Sequence, residues 1–242
     1  NYEARLACVE GGNMRNAIPR EASAIITIPE ESYQDLRDLV DRYEDLWLRE
    51  YDGIETDLTF KASEVECPKQ EMPEDVQDFL IHAITICPHG VYRMIPEMPD
   101  IVETSNNLAI IKTEEGKVSV ICLTRSNVES RKEELASIIQ SAFAIAGADV
   151  EFSGAYPGWK PNFKSSLLET MKKTYEQEFG NSPRIVTIHA GLECGIIGAN
   201  YPNMEMISFG PTIEHPHSPD ERVNIATVQK FYHYVQAALK AL

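Results

Sequence analysis

Apolar positions along this chain come in short runs whose spacing alternates between two and three-to-four. Residues 2–9 and 17–28 alternate or are rich in β-branched side chains, which predicts two strands, the second closed by Pro29. Tyr33, Leu36, Leu39, Val40, Tyr43, Leu46 and Trp47 recur at three and four, the spacing of a helix with one apolar face. Residues 55–65 read as a further strand and 74–87 as a helix ended by Pro88. Pro88, Pro96 and Pro99 mark 88–103 as a loop. A hairpin follows, with strands over 104–112 and 117–124 around Thr113-Glu114-Glu115-Gly116. Ser126-Asn127-Val128-Glu129 has capping-box spacing and predicts a helix whose inner face is Leu135, Ile138, Ile139, Ala142 and Ala146; residues 149–153 could close the region as a strand.

That order predicts an α+β domain, an antiparallel sheet with helices packed on one face, and such units offer an edge strand or helix face for dimerisation. Gly154-Ala155-Tyr156-Pro157-Gly158-Trp159-Lys160-Pro161 breaks the pattern, so the expected domains are 1–154, with 66–103 as an insertion, and 155–242. The second region reads helix (165–179, stopped by Gly180), strand (184–190), glycine-bearing loop (191–198), strand (204–209) and terminal helix (224–242). It is a partial α/β domain, a small piece of a parallel or mixed sheet that needs strands from elsewhere. The fold class expected for the whole is α/β. The chain opens on Asn1 almost in mid-strand, which reads as a fragment.

Charge narrows the partners. With 22 basic and 38 acidic residues the net charge is -16, which argues against nucleic acid or an anionic membrane surface. No apolar run reaches the roughly 20 residues of a membrane span. Five scattered cysteines, odd in number and without Cys-x-x-Cys spacing, point to reduced, cytoplasmic usage and away from a thiolate zinc site.

Candidate chemistry gathers in Gly210 to Arg222, between an apolar run and the terminal helix, where open α/β sheets place ligands. Prolines 211, 216 and 219 stiffen that loop around His217. Position alone leaves His217 equally readable as a surface-loop histidine. A His215/His217 metal pair has uncertain geometry among these prolines, and a Cys194/His189 nucleophile pair lacks an orienting acid or asparagine.

Five segments together resemble the aminoacyl-histidine dipeptidases (peptidase D, carnosinase-like) of the zinc aminoacylase and carboxypeptidase superfamily. They are Glu10–Ala22 with Asn-Ala-Ile-Pro, Leu123-Thr124-Arg125-Ser126, Tyr156–Pro161, Ile188-His189-Ala190-Gly191-Leu192-Glu193-Cys194-Gly195, and Gly210-Pro211 through His217-Ser218-Pro219-Asp220-Glu221. The resemblance implies a catalytic α/β domain interrupted by a lid that mediates homodimerisation, residues up to 154 being most of that lid. It implies hydrolysis of a dipeptide by water activated between two zinc ions. It makes His217 the last zinc ligand, Arg125 the holder of the dipeptide carboxylate, and Asn16 a lid residue reaching the partner subunit's active site. Gly191 and Leu192 become a loop lining the substrate pocket. Each has a plainer reading: Arg125 as a surface ion-pair former, Asn16 as a turn residue, Gly191 as a strand exit.

The departures are equally definite. No histidine here is followed two residues on by aspartate, and the adjacent glutamates (30–31, 114–115, 133–134) suit a helix start, a turn and an exposed face. One ligand is fewer than the three a zinc site needs. The expectation is a longer parent enzyme hydrolysing aminoacyl-histidine dipeptides, and an isolated chain that does not. The alternative is a non-catalytic dimerisation or interaction fragment.

Overall fold

The computed structural model describes residues 3–189, 192–216 and 220–242. It divides into two compact units: residues through Gly90 with Asn106–Leu123 and Leu135–Glu151, and Val91–Ser105 with Thr124–Glu134 and Phe152–Leu242.

In the first unit β1 (Arg5–Gly11) pairs antiparallel with β2 (Ala22–Thr27), Arg5 opposite Thr27 and Gly11 opposite Ala22, with a register shift between Leu6 and Cys8. On its other side β1 meets β4 (Met98–Glu114) at Glu10/Lys112 and Gly11/Ile111, and β5 (Lys117–Ser126) pairs with β4. The β4–β5 turn is Glu115-Gly116, both at positive φ (50° and 73°), a conformation that glycine adopts at no steric cost. α1 (Tyr33–Glu50) follows the predicted three-and-four spacing, with Trp47 stacked between Tyr43 and Phe60. α2 (Glu74–Ile86) and α3 (Glu129–Ile145) cover the sheet. Ala83, Cys87, Leu135, Ile139 and Phe143 form one core against Leu108, Val120 and Cys122, while Met72, Leu80 and Ile111 form another against Leu6, Val9 and Val118. The sheet with helices on one face is therefore as the spacing implied.

Several expectations do not hold. Residues 55–65 carry no strand; among them Phe60 is used for its contact with Trp47 instead. The proline-marked stretch 88–103 is mostly strand: β3 (Gly90–Ile95) turns at Pro96-Glu97 into β4, and Pro99 sits at the strand's start, where a missing N–H is tolerated. Ser126 does not cap α3 as a box. Its buried hydroxyl bonds Thr104 Oγ1 at 2.9 Å and accepts from Val128 N at 3.1 Å, and the helix begins only at Glu129. On α3, Phe143 takes the inward place expected of Ile138, which is 37% exposed. Residues 149–153 form no strand.

In the second unit α4 (Ser166–Phe179) packs on α6 (Ile225–Ala241). Met171, Tyr234 and Ala238 are the core of the pair, and Tyr234 donates its hydroxyl to the Met171 carbonyl at 2.7 Å. Both helices start as the sequence indicates, Ser165 Oγ accepting from Leu168 N and Asn224 Oδ1 from Ala226 N. Gly180 ends α4 in the left-handed region at φ 73°. The apolar runs 184–189 and 204–209, expected as strands, are not in a ladder, and Val186 and Ile188 are 54% and 50% exposed. The glycine-bearing segment expected as loop contains a helix, α5 (Glu193–Asn200). Among the described residues no helix is long and apolar enough to cross a membrane.

Candidate functional site

β5 delivers Arg125 next to its last residue, so the strand's end sets where the guanidinium stands. Arg5, Arg125 and Arg131 are the part-buried arginines of the described chain; Arg5 pairs with Glu74 and Arg131 with Glu134. Arg125 pairs with no carboxylate among the described residues. A part-buried guanidinium of this kind presents a planar fork of donors suited to a carboxylate.

His189 lies in the same unit. Its Nε2 is 2.9 Å from Ser105 Oγ on β4, and its imidazole is half-buried. Burial first, and then the positive charge of Arg125, hold it below the ordinary histidine value. The ring is thus neutral at pH 7, and Ser105, Arg125 and His189 form one cluster. Asn127, two residues beyond Arg125, is 3% exposed, and neither Oδ1 nor Nδ2 has a partner among the described residues. Such a group carries about 1–3 kcal/mol of desolvation cost. No spacing rule would have found Ser105 or Asn127.

The Tyr156–Pro161 segment passes beside this junction. A Cβ on Gly158 would stand 2.8 Å from the Asn127 carbonyl, and one on Gly195 of α5 would stand 2.5 Å from the Pro157 carbonyl oxygen. Glycine at both positions is what lets the backbones approach so closely. Glu129 ties the segment down, accepting from Gly158 N at 3.2 Å while pairing with Lys132 at 2.8 Å.

Leu192 is the residue before α5, part-buried, with extended backbone (φ -122°, ψ 147°). It lines a cavity of about 1310 Å³ inside the second unit whose walls include Trp159, Met171, Met206, Phe209 and Phe231. The cavity exceeds the roughly 300–1,000 Å³ of small-ligand pockets, and neither Arg125 nor His189 lines it.

Asn16 belongs to the first unit. It is exposed on the turn between β1 and β2, and Asn107 of β4 clamps that turn by donating to the carbonyls of Arg15 (3.2 Å) and Ala17 (2.7 Å). Gly12, at φ 67°, starts the turn where a Cβ would lie 1.9 Å from the Ala109 carbonyl oxygen.

His217 and Gly191 lie outside the described residues. The chain flanking His217 is described: β6 (Ile213–Glu214) pairs antiparallel with β7 (Arg222–Val223), and Arg222 Nε meets Glu214 Oε2 at 2.6 Å. Among the described residues no group of three His, Cys, Asp or Glu side chains could hold a metal ion. Zinc requires at least that many protein donors, so the described residues do not by themselves fit one.

The profile of peptidase family M20/M25/M40 matches residues 9–241. The chain belongs to this family. It is 37% identical over 240 residues to the cytosol non-specific dipeptidase of Escherichia coli (strain K12), a match covering 99% of this chain and 50% of that one. The crystal structure of aminoacylhistidine dipeptidase from Vibrio alginolyticus superposes with TM-score 0.93 at 45% identity, over 100% of this chain and 49% of that one. The mixed helical and antiparallel architecture is that of this M20 relative. Aminopeptidase PepT from Bacillus cereus ATCC 10987 shares the fold at TM-score 0.57 and 20% identity, over 68% of this chain and 44% of that one. The chain thus spans about half the length of the M20/M25/M40 relatives it matches most fully.

Proposed function

We propose that these residues are part of a cytoplasmic, zinc-dependent dipeptidase that hydrolyses aminoacyl-histidine and related dipeptides. The observation that carries this reading is the 45% identity and TM-score of 0.93 to aminoacylhistidine dipeptidase over 100% of the chain. In this reading residues 1–154 are most of a lid that mediates homodimerisation, and 155–242 are the C-terminal part of the catalytic domain. Arg125 holds the C-terminal carboxylate of the dipeptide; its lack of a carboxylate partner among the described residues supports that role. Asn16, on its clamped turn, reaches substrate in the partner subunit's site, and Gly191 and Leu192 line the substrate pocket. His217 supplies one metal donor. The remaining donors and the acidic base come from a part of a longer polypeptide, and the bound metal pair would lower the pKa of the attacking water.

By themselves the 242 residues are non-catalytic in this reading, because only His217 among them matches a zinc ligand of the family. Arg125→Ala in a longer polypeptide carrying these residues tests the carboxylate role. A charge-assisted hydrogen bond contributes about 1.5–3 kcal/mol, so the Michaelis constant should rise about 10- to 100-fold. Arg125→Lys should recover only part of that loss, because an ammonium lacks the planar fork. Unchanged kinetics in both variants would remove Arg125 from substrate recognition.

A further inference from the structure

Ser105, Arg125 and His189 all belong to the second unit, and strand register explains how the first two meet. Here β4 and β5 run antiparallel: Asn127 N donates to the Glu103 carbonyl at 3.3 Å, and Thr104 Oγ1 meets Ser126 Oγ at 2.9 Å. The next pair in that register sets Ser105 opposite Arg125. Opposite residues of an antiparallel pair share a face, with Cβ atoms about 4.5–5.5 Å apart. Successive side chains alternate between faces. Thr104 and Ser126 therefore occupy one face, where both are buried, while Ser105 and Arg125 occupy the other and are only part-buried. The His189 imidazole joins this second face through Nε2, 2.9 Å from Ser105 Oγ.

The geometry points to His189 as a second substrate-binding residue, donating a hydrogen bond to the same C-terminal carboxylate that Arg125 holds, with Ser105 as the positioning residue that fixes the ring. This rests on the proposed dipeptidase function and adds to it a determinant of specificity. A neutral imidazole has one N–H and one lone pair, on different nitrogens. Ser105 occupies Nε2, and Nδ1 makes no hydrogen bond among the described residues. A serine hydroxyl both donates and accepts, so it can serve either tautomer. With an anion at the guanidinium, the favoured arrangement has Ser105 Oγ–H donating to Nε2 and Nδ1–H turned to the anion.

The carboxylate has room for that donor. It offers roughly four lone-pair sites, and the planar fork of an arginine engages two of them. Burial and the Arg125 charge hold the imidazole below its ordinary value, so it donates as a neutral group and adds no like charge beside the guanidinium. A capped C-terminus offers a single neutral carbonyl oxygen instead. Arg125 and His189 together therefore select a free carboxylate.

The test is kinetic, in a longer polypeptide carrying these residues, with alanyl-histidine as substrate. His189→Phe should raise the Michaelis constant at least about tenfold with a much smaller change in kcat, the loss of one charge-assisted hydrogen bond. His189→Asn, whose amide nitrogen can stand in for Nδ1, should recover most of that loss. Ser105→Ala, which frees the ring, should give an intermediate rise. Because one carboxylate is shared, Arg125→Ala combined with His189→Phe should raise the Michaelis constant by clearly less than the product of the single effects. An unchanged Michaelis constant in His189→Phe, no recovery in His189→Asn, or effects that multiply with those of Arg125→Ala would overturn the role of His189 and leave that of Arg125 standing. Unchanged kinetics in Arg125→Ala as well would overturn both.

Discussion

At the scale of single residues, two positions make the strongest demands on chemistry. Gly12 combines φ 67° with a Cβ position 1.9 Å from a backbone oxygen, so no side chain fits without moving β4. Gly12→Ala should cost more than about 1 kcal/mol, read as a lower urea midpoint at unchanged slope, and a neutral result would contradict the packing described. His189 is the other. Burial and then the Arg125 charge hold its pKa below the ordinary value in the folded chain, whereas unfolded histidine titrates at about 6.5. With the folded value depressed, the unfolded state binds more protons as the pH falls below that point. Stability is then complete above it and declines toward acid. Nuclear magnetic resonance titration should find the His189 ring below the ordinary range and find it raised in Arg125→Gln; an unmoved titration would separate the two residues. The sequence pointed to Arg125 only through its surrounding motif. Ser105 was illegible because strand geometry, not spacing, brings it to His189, and no pattern signals the burial of Asn127.

Secondary-structure elements were legible where their cause is local. α1 follows from i, i+3 and i+4 apolar spacing and α4 stops at the expected Gly180, while α4 and α6 each start at one capping side chain; the apolar stripe of the terminal helix (Ile225, Val228, Tyr232, Leu239, Leu242) is exposed instead, Tyr234 and Ala238 being its buried residues. The buried cap at Ser165 gives a direct check: Ser165→Ala should lose about 1 kcal/mol, and an unchanged thermal midpoint would deny the cap. Elements whose existence depends on a neighbour were misread. Residues 184–189 and 204–209 have the composition of buried strands, but a strand is defined by its ladder, and composition does not supply the partner. The opposite error occurred over 88–103, where prolines were given the weight of breakers although one sits in a turn and another at a strand's first residues. α5 was missed because Gly195 and Gly198 read as loop residues, while close packing on Pro157 is what requires glycine at 195.

Taken as a whole, the chain carries an M20/M25/M40 fold, a guanidinium free of carboxylate partners among the described residues, and about half the length of its dipeptidase relatives. The net charge of -16 argues against polyanionic partners. The proposed function divides the labour: recognition by residues of this chain, metal activation of water largely by residues beyond it. Hydrolysis of an aminoacyl-histidine dipeptide by the purified 242-residue chain, with zinc supplied, tests that division most directly. No turnover above the buffer control is the predicted result; steady multiple-turnover cleavage would contradict it.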